Sequence, residues 1–289
     1  MNPWLAAARP RTLTASLVPV VVAAAAADRG GVFAWIPFLL TLIGALAIQI
    51  AANFANDASD ARRGADPADR VGPPRMVATG QITAGAMWRA CLLAVAVAAA
   101  CGVIMTFRAG PVILLIGGLS VLAMLGYVGG PVPYGYRGLG EIFVIAFFGI
   151  IATAGSRLAY DGRCPAFVWW LGIPIGLLAA AILMANNLRD LPTDHRTGKR
   201  TLAVLVGEKD ATNLFFATLW FALGVTLLLV IVGIEPVGVA AGVAAGALVV
   251  PIHRLRRDPD DRSTYLPLLG ATARVHLAYG ALLTAGLLV

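Results

Sequence analysis

Uncharged, mostly apolar runs recur along the whole chain, and the charged residues are confined to the short stretches between them. A helix that crosses a bilayer needs about 20 predominantly apolar residues. We expect the helices of the two shorter runs, 12–27 and 142–156, to extend past their charged neighbours, and the last helix to begin near Leu266, because Arg274 interrupts its run. The pattern predicts nine transmembrane helices, over 12–27, 30–56, 90–107, 109–136, 142–156, 164–188, 211–234, 236–253 and 275–289.

Composition agrees with this interpretation. The 289 residues are 59% hydrophobic and only 13% charged, whereas roughly 25% of a soluble domain is charged. We therefore expect an all-α polytopic membrane protein, folded as a single domain over 1–289. Its nine helices would form a bundle in which cytoplasmic loops cap a central cavity.

The basic residues predict the orientation, because short cytoplasmic loops collect Lys and Arg. With a cytoplasmic N-terminus, 18 of the 22 Lys and Arg lie on the cytoplasmic side, and an odd number of helices places the C-terminus outside. The net charge of +7 then follows from topology and from contact with anionic lipid, and nucleic acid binding is not expected. We expect a multi-pass protein of the bacterial plasma membrane, with no obligatory protein partner.

A first polar cluster lies where the second apolar run ends. Gln49, Asn53, Asn56, Asp57 and Asp60 are spaced i, i+4, i+7, i+8 and i+11. That spacing places all five side chains on one stripe of a helix. The amides stand within an apolar helix, where solvation does not explain them. Two carboxylates so close repel each other unless a cation lies between them.

A second cluster ends the sixth run. Asn186, Asn187 and Asp190 share a helix face, and Asp194 follows one turn later. Pro192 disfavours helical geometry at the residue before it, so Asp194 is expected on a loop instead of on the helix proper. Intramembrane carboxylates usually mark a functional site. The two clusters are what a bundle would have if each of its halves contributed one acidic cluster to a shared cavity.

Carboxylate and amide oxygens without a histidine or cysteine set favour Mg²⁺. Mg²⁺ binds through one or two carboxylates together with the phosphate oxygens of a substrate. Basic residues beside the two clusters would contact phosphate: Arg75, Arg189, Arg196, Lys199 and Arg200. A diphosphate at the membrane surface, below an apolar cavity, implies a polyprenyl diphosphate.

Two other interpretations of these charged residues compete with a substrate site. Loops of membrane proteins often carry solvated ion pairs, and we assign Asp66, Asp69, Glu208, Asp210 and the run 254–262 to that class. An ion-coupled transporter also uses intramembrane acids, but its site should lie near the bilayer midplane between broken helices. The acids of this chain lie at the cytoplasmic helix ends.

The motifs "NDASD" (56–60) and "DLPTD" (190–194) resemble the two aspartate-rich motifs of the UbiA superfamily of intramembrane aromatic prenyltransferases. The longer strings "NFANDASDARRGAD", "GGPVPYGYRGLGE" (129–141) and "NNLRDLPTDHRTGKRTLAV" are similar to its 1,4-dihydroxy-2-naphthoate polyprenyltransferase branch. Gly64 departs from the general pattern, which often has a third acid four residues after Asp60.

The resemblance implies Mg²⁺-dependent transfer of a polyprenyl group from its diphosphate to 1,4-dihydroxy-2-naphthoate, with loss of carbon dioxide, giving demethylmenaquinone. The acceptors left open are 4-hydroxybenzoate and a sugar phosphate. The implied metal ligands are Asn56, Asp57, Asp60, Asp190 and Asp194. The implied catalytic residues are Asp57, Asp60, Asp190, Asp194, Lys199 and Arg137. The implied substrate-binding residues are Asn53, Arg75, Tyr127, Tyr134, Tyr136, Glu141, Asn186, Asn187, Arg189 and Arg200.

Individual roles follow from the same resemblance. The three tyrosines would offer π faces to an allylic cation, or would anchor the chain at the membrane interface. Arg137 and Glu141 would close their loop over the site. Arg137 would contact either the carboxylate of the acceptor or the diphosphate.

Overall fold

The computed structural model describes residues 2–67, 70–129, 133–255 and 257–289. Asp69, Arg256 and positions 130–132 of the string "GGPVPYGYRGLGE" (129–141) lie outside these residues. The described residues form helices and turns and no strand; one isolated bridge pairs the backbones of Arg137 and Arg200. The prediction of an all-α protein is confirmed.

The apolar helices follow the predicted runs. A short helix, Pro3–Ala8, and a turn, Pro10–Thr12, precede the first of them and are bent by 54° from it. In chain order the apolar helices are α1 (Thr14–Arg29), α2 (Trp35–Arg62), α3 (Ala84–Ala109), α4 (Val112–Val128), α5 (Gly140–Asp161), α6 (Ala166–Arg196), α7 (Glu208–Ile231), α8 (Val237–His253) and α9 (Arg262–Leu288).

The count of membrane spans is less than the prediction. Six of the described helices (α2, α3, α5, α6, α7 and α9) are long and apolar enough to cross a membrane, and the bent N-terminal pair would make a seventh. The helices α4 and α8 are apolar but shorter. The nine-span count therefore stays a prediction.

Helix α6 is the centre of the bundle, since 72% of its most apolar stretch is buried, against 17% for α3. The side chains that α3 exposes are apolar, among them Leu92, Leu93 and Phe107. In a protein of this composition such a surface faces lipid.

Helices α5 and α6 pack through glycine. A Cβ added at Gly149 would collide with the carbonyl oxygen of Gly172, and one at Gly176 would stand 2.6 Å from the carbonyl oxygen of Ile145. The contact coincides with a π-helical segment of α5, Ile145–Ile151. Such segments are often found at functional sites. Here it lies where Phe147 and Phe148 reach the cavity described below.

Helix α6 also corrects a local expectation. It runs unbroken through Pro192 to Arg196, so Asp194 lies on the helix. Proline has no N–H to donate to the carbonyl four residues earlier, which is that of Leu188. The Nη1 of Arg262 donates to that carbonyl at 3.4 Å. A side chain from α9 thus supplies the hydrogen bond that proline cannot make.

Candidate active site

The amide end of the α2 stripe is tied to the N-terminal bend. Asn53 Nδ2 donates to the Ala8 carbonyl at 2.8 Å and to Thr12 Oγ1 at 3.2 Å, and Gln49 Nε2 donates to the same hydroxyl at 3.3 Å. Asn53 and Gln49 are both buried. Their burial inside an apolar helix is explained by these contacts, and both side chains line a cavity.

Asp57 contacts main chain. Its two oxygens accept hydrogen bonds from the backbone N–H groups of Met76 at 3.1 Å and Val77 at 2.9 Å. The residue is 1% exposed. Asp57 therefore fixes the turn that carries Arg75, a role that the spacing of the motif did not suggest.

Asp60 lies among cations and a phenol. Tyr136 donates its hydroxyl to Asp60 at 2.7 Å, and Arg75 and Lys199 each place a nitrogen 3.6 Å from the other carboxylate oxygen. Burial opposes the charge of Lys199, but Asp60 and Asp194 outweigh it and raise the pKa of the ammonium group. Burial, reinforced by Asp60, raises the pKa of Tyr136, so this phenol keeps its proton.

Asp66 is not the solvated loop charge that we expected. Its side chain is 4% exposed and accepts a hydrogen bond from Arg75 Nε at 3.1 Å, with Arg70 Nε at 3.5 Å. Burial, together with the nearby Asp60, raises the pKa of Asp66 to about 6. The chain after α2 turns back over the site and brings this carboxylate inside, which sequence distance alone does not show.

Glu208 and Arg262 correct the same expectation. Arg262 binds Glu208 through two nitrogens, at 2.9 and 2.6 Å, and Tyr265 donates its hydroxyl to the same carboxylate. These residues join the start of α7 to the start of α9 and are not solvated loop charges.

Asp190 is held by two guanidinium groups. Arg189 donates Nε and Nη2 to its two oxygens, each at 2.7 Å, and Arg70 Nη2 donates at 2.5 Å. Arg70 comes from the chain after α2 and Asp190 from α6, so this ion pair joins the segment that follows the first acidic motif to the second motif. The prediction that both motifs meet at one end of the bundle agrees with this contact. Asp194, one turn later, is buried and lies near Lys199.

Two predicted cations lie away from this cluster. Arg137 and Arg200 are exposed, and only their backbones meet, in the bridge between the two loops. Glu141, which was expected with Arg137 in a loop closing over the site, is buried and accepts a hydrogen bond from Asn187 Nδ2 at 2.9 Å. The structure therefore gives Glu141 and Asn187 a shared role in joining α5 to α6.

A cavity of about 210 Å³ opens beside the acidic cluster. Its polar end includes Asn56 and Asn186, and its apolar wall is rich in aromatic rings. Tyr134 stacks on Phe143 with ring centroids 3.7 Å apart and meets the ring of Tyr127 edge-on at 5.4 Å. Tyr127 and Tyr134 line the cavity, whereas Tyr136 contacts Asp60. Such a wall offers apolar surface and π faces together.

Sequence reasoning missed four contributors to this site. Arg9, Arg70, Phe143 and Phe147 were counted only as loop charges or as part of an apolar run. A signal was present for Arg9, in the stretch "ARPRT", where one proline between two arginines interrupts an apolar segment. Arg70 gave no comparable signal, because its partner Asp190 lies 120 residues further along the chain.

Comparison with known proteins agrees with this geometry. Residues 16–284 match the model of the UbiA prenyltransferase family. The chain is 38% identical over 216 residues to a 1,4-dihydroxy-2-naphthoate octaprenyltransferase of Mycobacterium tuberculosis, covering 73% of this chain and 72% of that protein. It is 40% identical over 218 residues to the protein of that name from Escherichia coli, covering 72% and 70%.

Solved structures share the fold at low sequence identity. A UbiA homolog from Archaeoglobus fulgidus bound to GPP and Mg²⁺ has a TM-score of 0.67 at 15% identity, over 98% of this chain and 99% of that one. A UbiA homolog from Aeropyrum pernix has a TM-score of 0.71 at 16% identity, over 95% and 96%. Together with the family match, these likenesses establish that the chain is a membrane protein that belongs to the UbiA prenyltransferase family.

Proposed function

We propose that this protein transfers a polyprenyl group from its diphosphate to 1,4-dihydroxy-2-naphthoate in a bacterial membrane, releasing diphosphate and carbon dioxide and forming demethylmenaquinol, the quinol form of demethylmenaquinone. The observation that carries the proposal is the ion pair between Arg70 and Asp190, which ties the segment after the first acidic motif to the second motif, in a protein with an aromatic cavity that Asn56 and Asn186 line. The similar bacterial proteins that carry the name 1,4-dihydroxy-2-naphthoate octaprenyltransferase support the choice of acceptor.

Mg²⁺ fits the oxygen donors of the cluster. No three or more His, Cys, Asp and Glu side chains among the described residues are grouped so as to hold a metal by themselves. Mg²⁺ needs only one or two carboxylates when water and phosphate oxygens complete its shell. Asn56 Oδ1 and Asp66 Oδ2 are buried and have no hydrogen-bond partner among the described residues. The residues that would hold the metal are Asn56, Asp60, Asp66, Asp190 and Asp194.

Asp57 stands apart from these ligands, because its two oxygens accept from backbone N–H groups of a turn. The donors to Asp190 are instead guanidinium groups, which phosphate oxygens can also bind. Its direct coordination of metal stays a prediction from the motif. When bound, Mg²⁺ would neutralise the diphosphate and lower the barrier to its departure.

The chain's own cations bind and orient the leaving group. Arg75, Arg189 and Lys199 lie at the cluster and provide forked and point-charge donors for phosphate oxygens. Tyr136 contributes a protonated hydroxyl, which can donate to an anion. As the bond from C1 of the prenyl group to oxygen breaks, the electron pair leaves with the diphosphate.

The aromatic cavity then shields the allylic cation from water. The rings of Tyr127, Tyr134 and Phe143 present π faces that stabilise positive charge. The acceptor ring attacks the cationic carbon, and its carboxylate departs as carbon dioxide. Exclusion of water prevents hydrolysis of the cation before the ring reaches it.

We extend the proposal to topology. All nine apolar helices would cross the bilayer as one domain over 1–289, with the N-terminus cytoplasmic, the C-terminus outside, and the loops over the acidic cluster capping the cavity. The excess of Lys and Arg in the loops of that side supports this orientation.

The test is product analysis. Purified protein supplied with a polyprenyl diphosphate, Mg²⁺ and acceptor labelled at its carboxyl should release labelled carbon dioxide along with prenylated quinol. EDTA should stop the reaction, and added Mg²⁺ should restore it. Efficient prenylation of 4-hydroxybenzoate with its carboxyl retained, in place of the naphthoate, would contradict the proposed acceptor while leaving the family assignment unchanged.

A further inference from the structure

Arg9 occupies an unusual place in the fold. It joins the short helix Pro3–Ala8 to the turn Pro10–Thr12 with φ 51° and ψ 70°, and no other non-glycine residue described has positive φ. A side chain in this left-handed region is disfavoured and persists only where the surroundings fix it. Its Nη2 is buried and has no hydrogen-bond partner among the described residues.

The hydroxyl of Thr12 fixes this bend, and its partners determine which hydrogen bonds it donates and which it accepts. Thr12 has one proton and donates it to the Arg9 carbonyl at 3.0 Å. It must therefore accept from Gln49 Nε2 at 3.3 Å and from Asn53 Nδ2 at 3.2 Å. With its amide nitrogen used in this way, Gln49 has its Oε1 remaining, and that oxygen is also buried without a described partner.

Both atoms belong to residues that line the cavity. Of the described residues that line it, Arg9 is the one that carries a charge. The cations assigned to the diphosphate, Arg75, Arg189 and Lys199, contact the acidic cluster and do not line the cavity. An anion that enters the cavity beyond the diphosphate thus meets a single cation, which has a donor to spare.

We propose that Arg9 and Gln49 form the subsite for the aromatic acceptor, with the guanidinium group binding its carboxylate and Gln49 Oε1 accepting a hydrogen bond from a ring hydroxyl. This inference rests on the proposed function. A spare donor on a cation and a spare acceptor on an amide match a hydroxylated aromatic carboxylate, which offers an anion and an O–H. Arg137, the alternative cation, is exposed and does not line the cavity.

The experiment measures acceptor binding without the reaction. The purified chain in lipid nanodiscs is titrated with 1,4-dihydroxy-2-naphthoate, and separately with 1,4-naphthalenediol, which lacks the carboxylate, while tryptophan fluorescence is recorded. Arg9→Gln should weaken binding of the naphthoate about ten- to a hundredfold, the usual effect of losing a charge-assisted hydrogen bond. It should leave binding of the diol within about twofold, a difference worth less than 0.5 kcal/mol.

Arg11→Gln is the matched control, because Arg11 lies in the same turn but is exposed and does not line the cavity. It should bind both compounds as the unmodified protein does. Retained diol binding by the Arg9→Gln variant shows that the cavity is folded. If the variant does not fold, Arg9→Lys replaces it and should give an intermediate loss, because a point charge cannot reproduce the fork.

Two results would overturn the inference. One is unchanged preference for the naphthoate over the diol in the variant. The other is weakened binding of inorganic pyrophosphate with naphthoate binding intact, which would assign Arg9 to the diphosphate. Neither result depends on turnover, so failure here is distinguishable from failure of the proposed function.

Discussion

Replacement of Asp57 by Asn tests how the first motif works. The carboxylate accepts one hydrogen bond at each oxygen, from Met76 and Val77. Asn keeps one acceptor but turns an NH₂ group toward the second N–H. The change therefore removes one charge-assisted bond and places two donors against each other in a buried site.

The expected cost follows from those contacts. A hydrogen bond to a charged group is worth about 1.5–3 kcal/mol, and a buried donor left unsatisfied costs a comparable amount. We expect the substitution to cost roughly 2–4 kcal/mol of free energy. If this cost misplaces the turn that carries Arg75, turnover should fall about 30- to 1000-fold.

The assay is prenyl transfer by purified protein, with Mg²⁺ and prenyl diphosphate each titrated in turn. Because Arg75 contacts Asp60 and Asp66, misplacing its turn should raise KM for the diphosphate and leave the Mg²⁺ requirement, measured at saturating diphosphate, unchanged. Asp210→Asn is the matched control, since Asp210 is exposed at the start of α7.

Turnover within threefold of the unmodified protein, at normal expression, would refute the reasoning. A rise of tenfold in the Mg²⁺ requirement with an unaltered KM for the diphosphate would instead support direct coordination of metal by Asp57, as the motif predicts.

Three further outcomes are expected. Asp190→Asn should destabilise the protein by about 3–5 kcal/mol and abolish turnover, because it leaves two buried guanidinium groups without their shared carboxylate; an unchanged melting temperature would contradict this. Burial raises the pKa of Glu235 from 4.5 to about 8. Between pH 4.5 and about 8 the folded protein therefore binds a proton that the unfolded chain has lost. The free energy of unfolding should fall by about 1.4 kcal/mol per pH unit as pH rises through this range. Glu235→Gln should remove that slope in melting temperature, and a slope that persists would exclude Glu235 as its source. A cysteine at Gly198 should react with an impermeant maleimide only from the cytoplasmic side and one at Gly162 only from the other, and labelling from one side would contradict the topology.

The helical part of this site was predictable from the sequence. Polar side chains are costly inside apolar helices, so those that persist have contacts that need them. The stripe that includes Gln49, Asn53 and Asn56 therefore stood out from its background, and its helical spacing placed all three on one face. The structure lines the cavity with all three residues.

The loop contributions could not be predicted in this way. Asp57 contacts backbone N–H groups 19 and 20 residues later, and Arg70 contacts Asp190 across 120 residues. Residue spacing fixes neighbours on a helix, where the geometry repeats, but not the course of a loop. For the same reason Asp66 was assigned to solvent although its side chain is buried.

The charges of the cluster explain why so many acids can be buried together. Among the described residues of the cluster, five carboxylates, four guanidinium groups and one ammonium group act on one another, and the sum of these formal charges is zero; they are Asp57, Asp60, Asp66, Asp190, Asp194, Arg9, Arg70, Arg75, Arg189 and Lys199. A bare divalent cation would upset that balance, whereas a cation that arrives with a diphosphate nearly preserves it. Binding of metal and of diphosphate should therefore be coupled, because each offsets the charge that the other brings into a site of low dielectric constant.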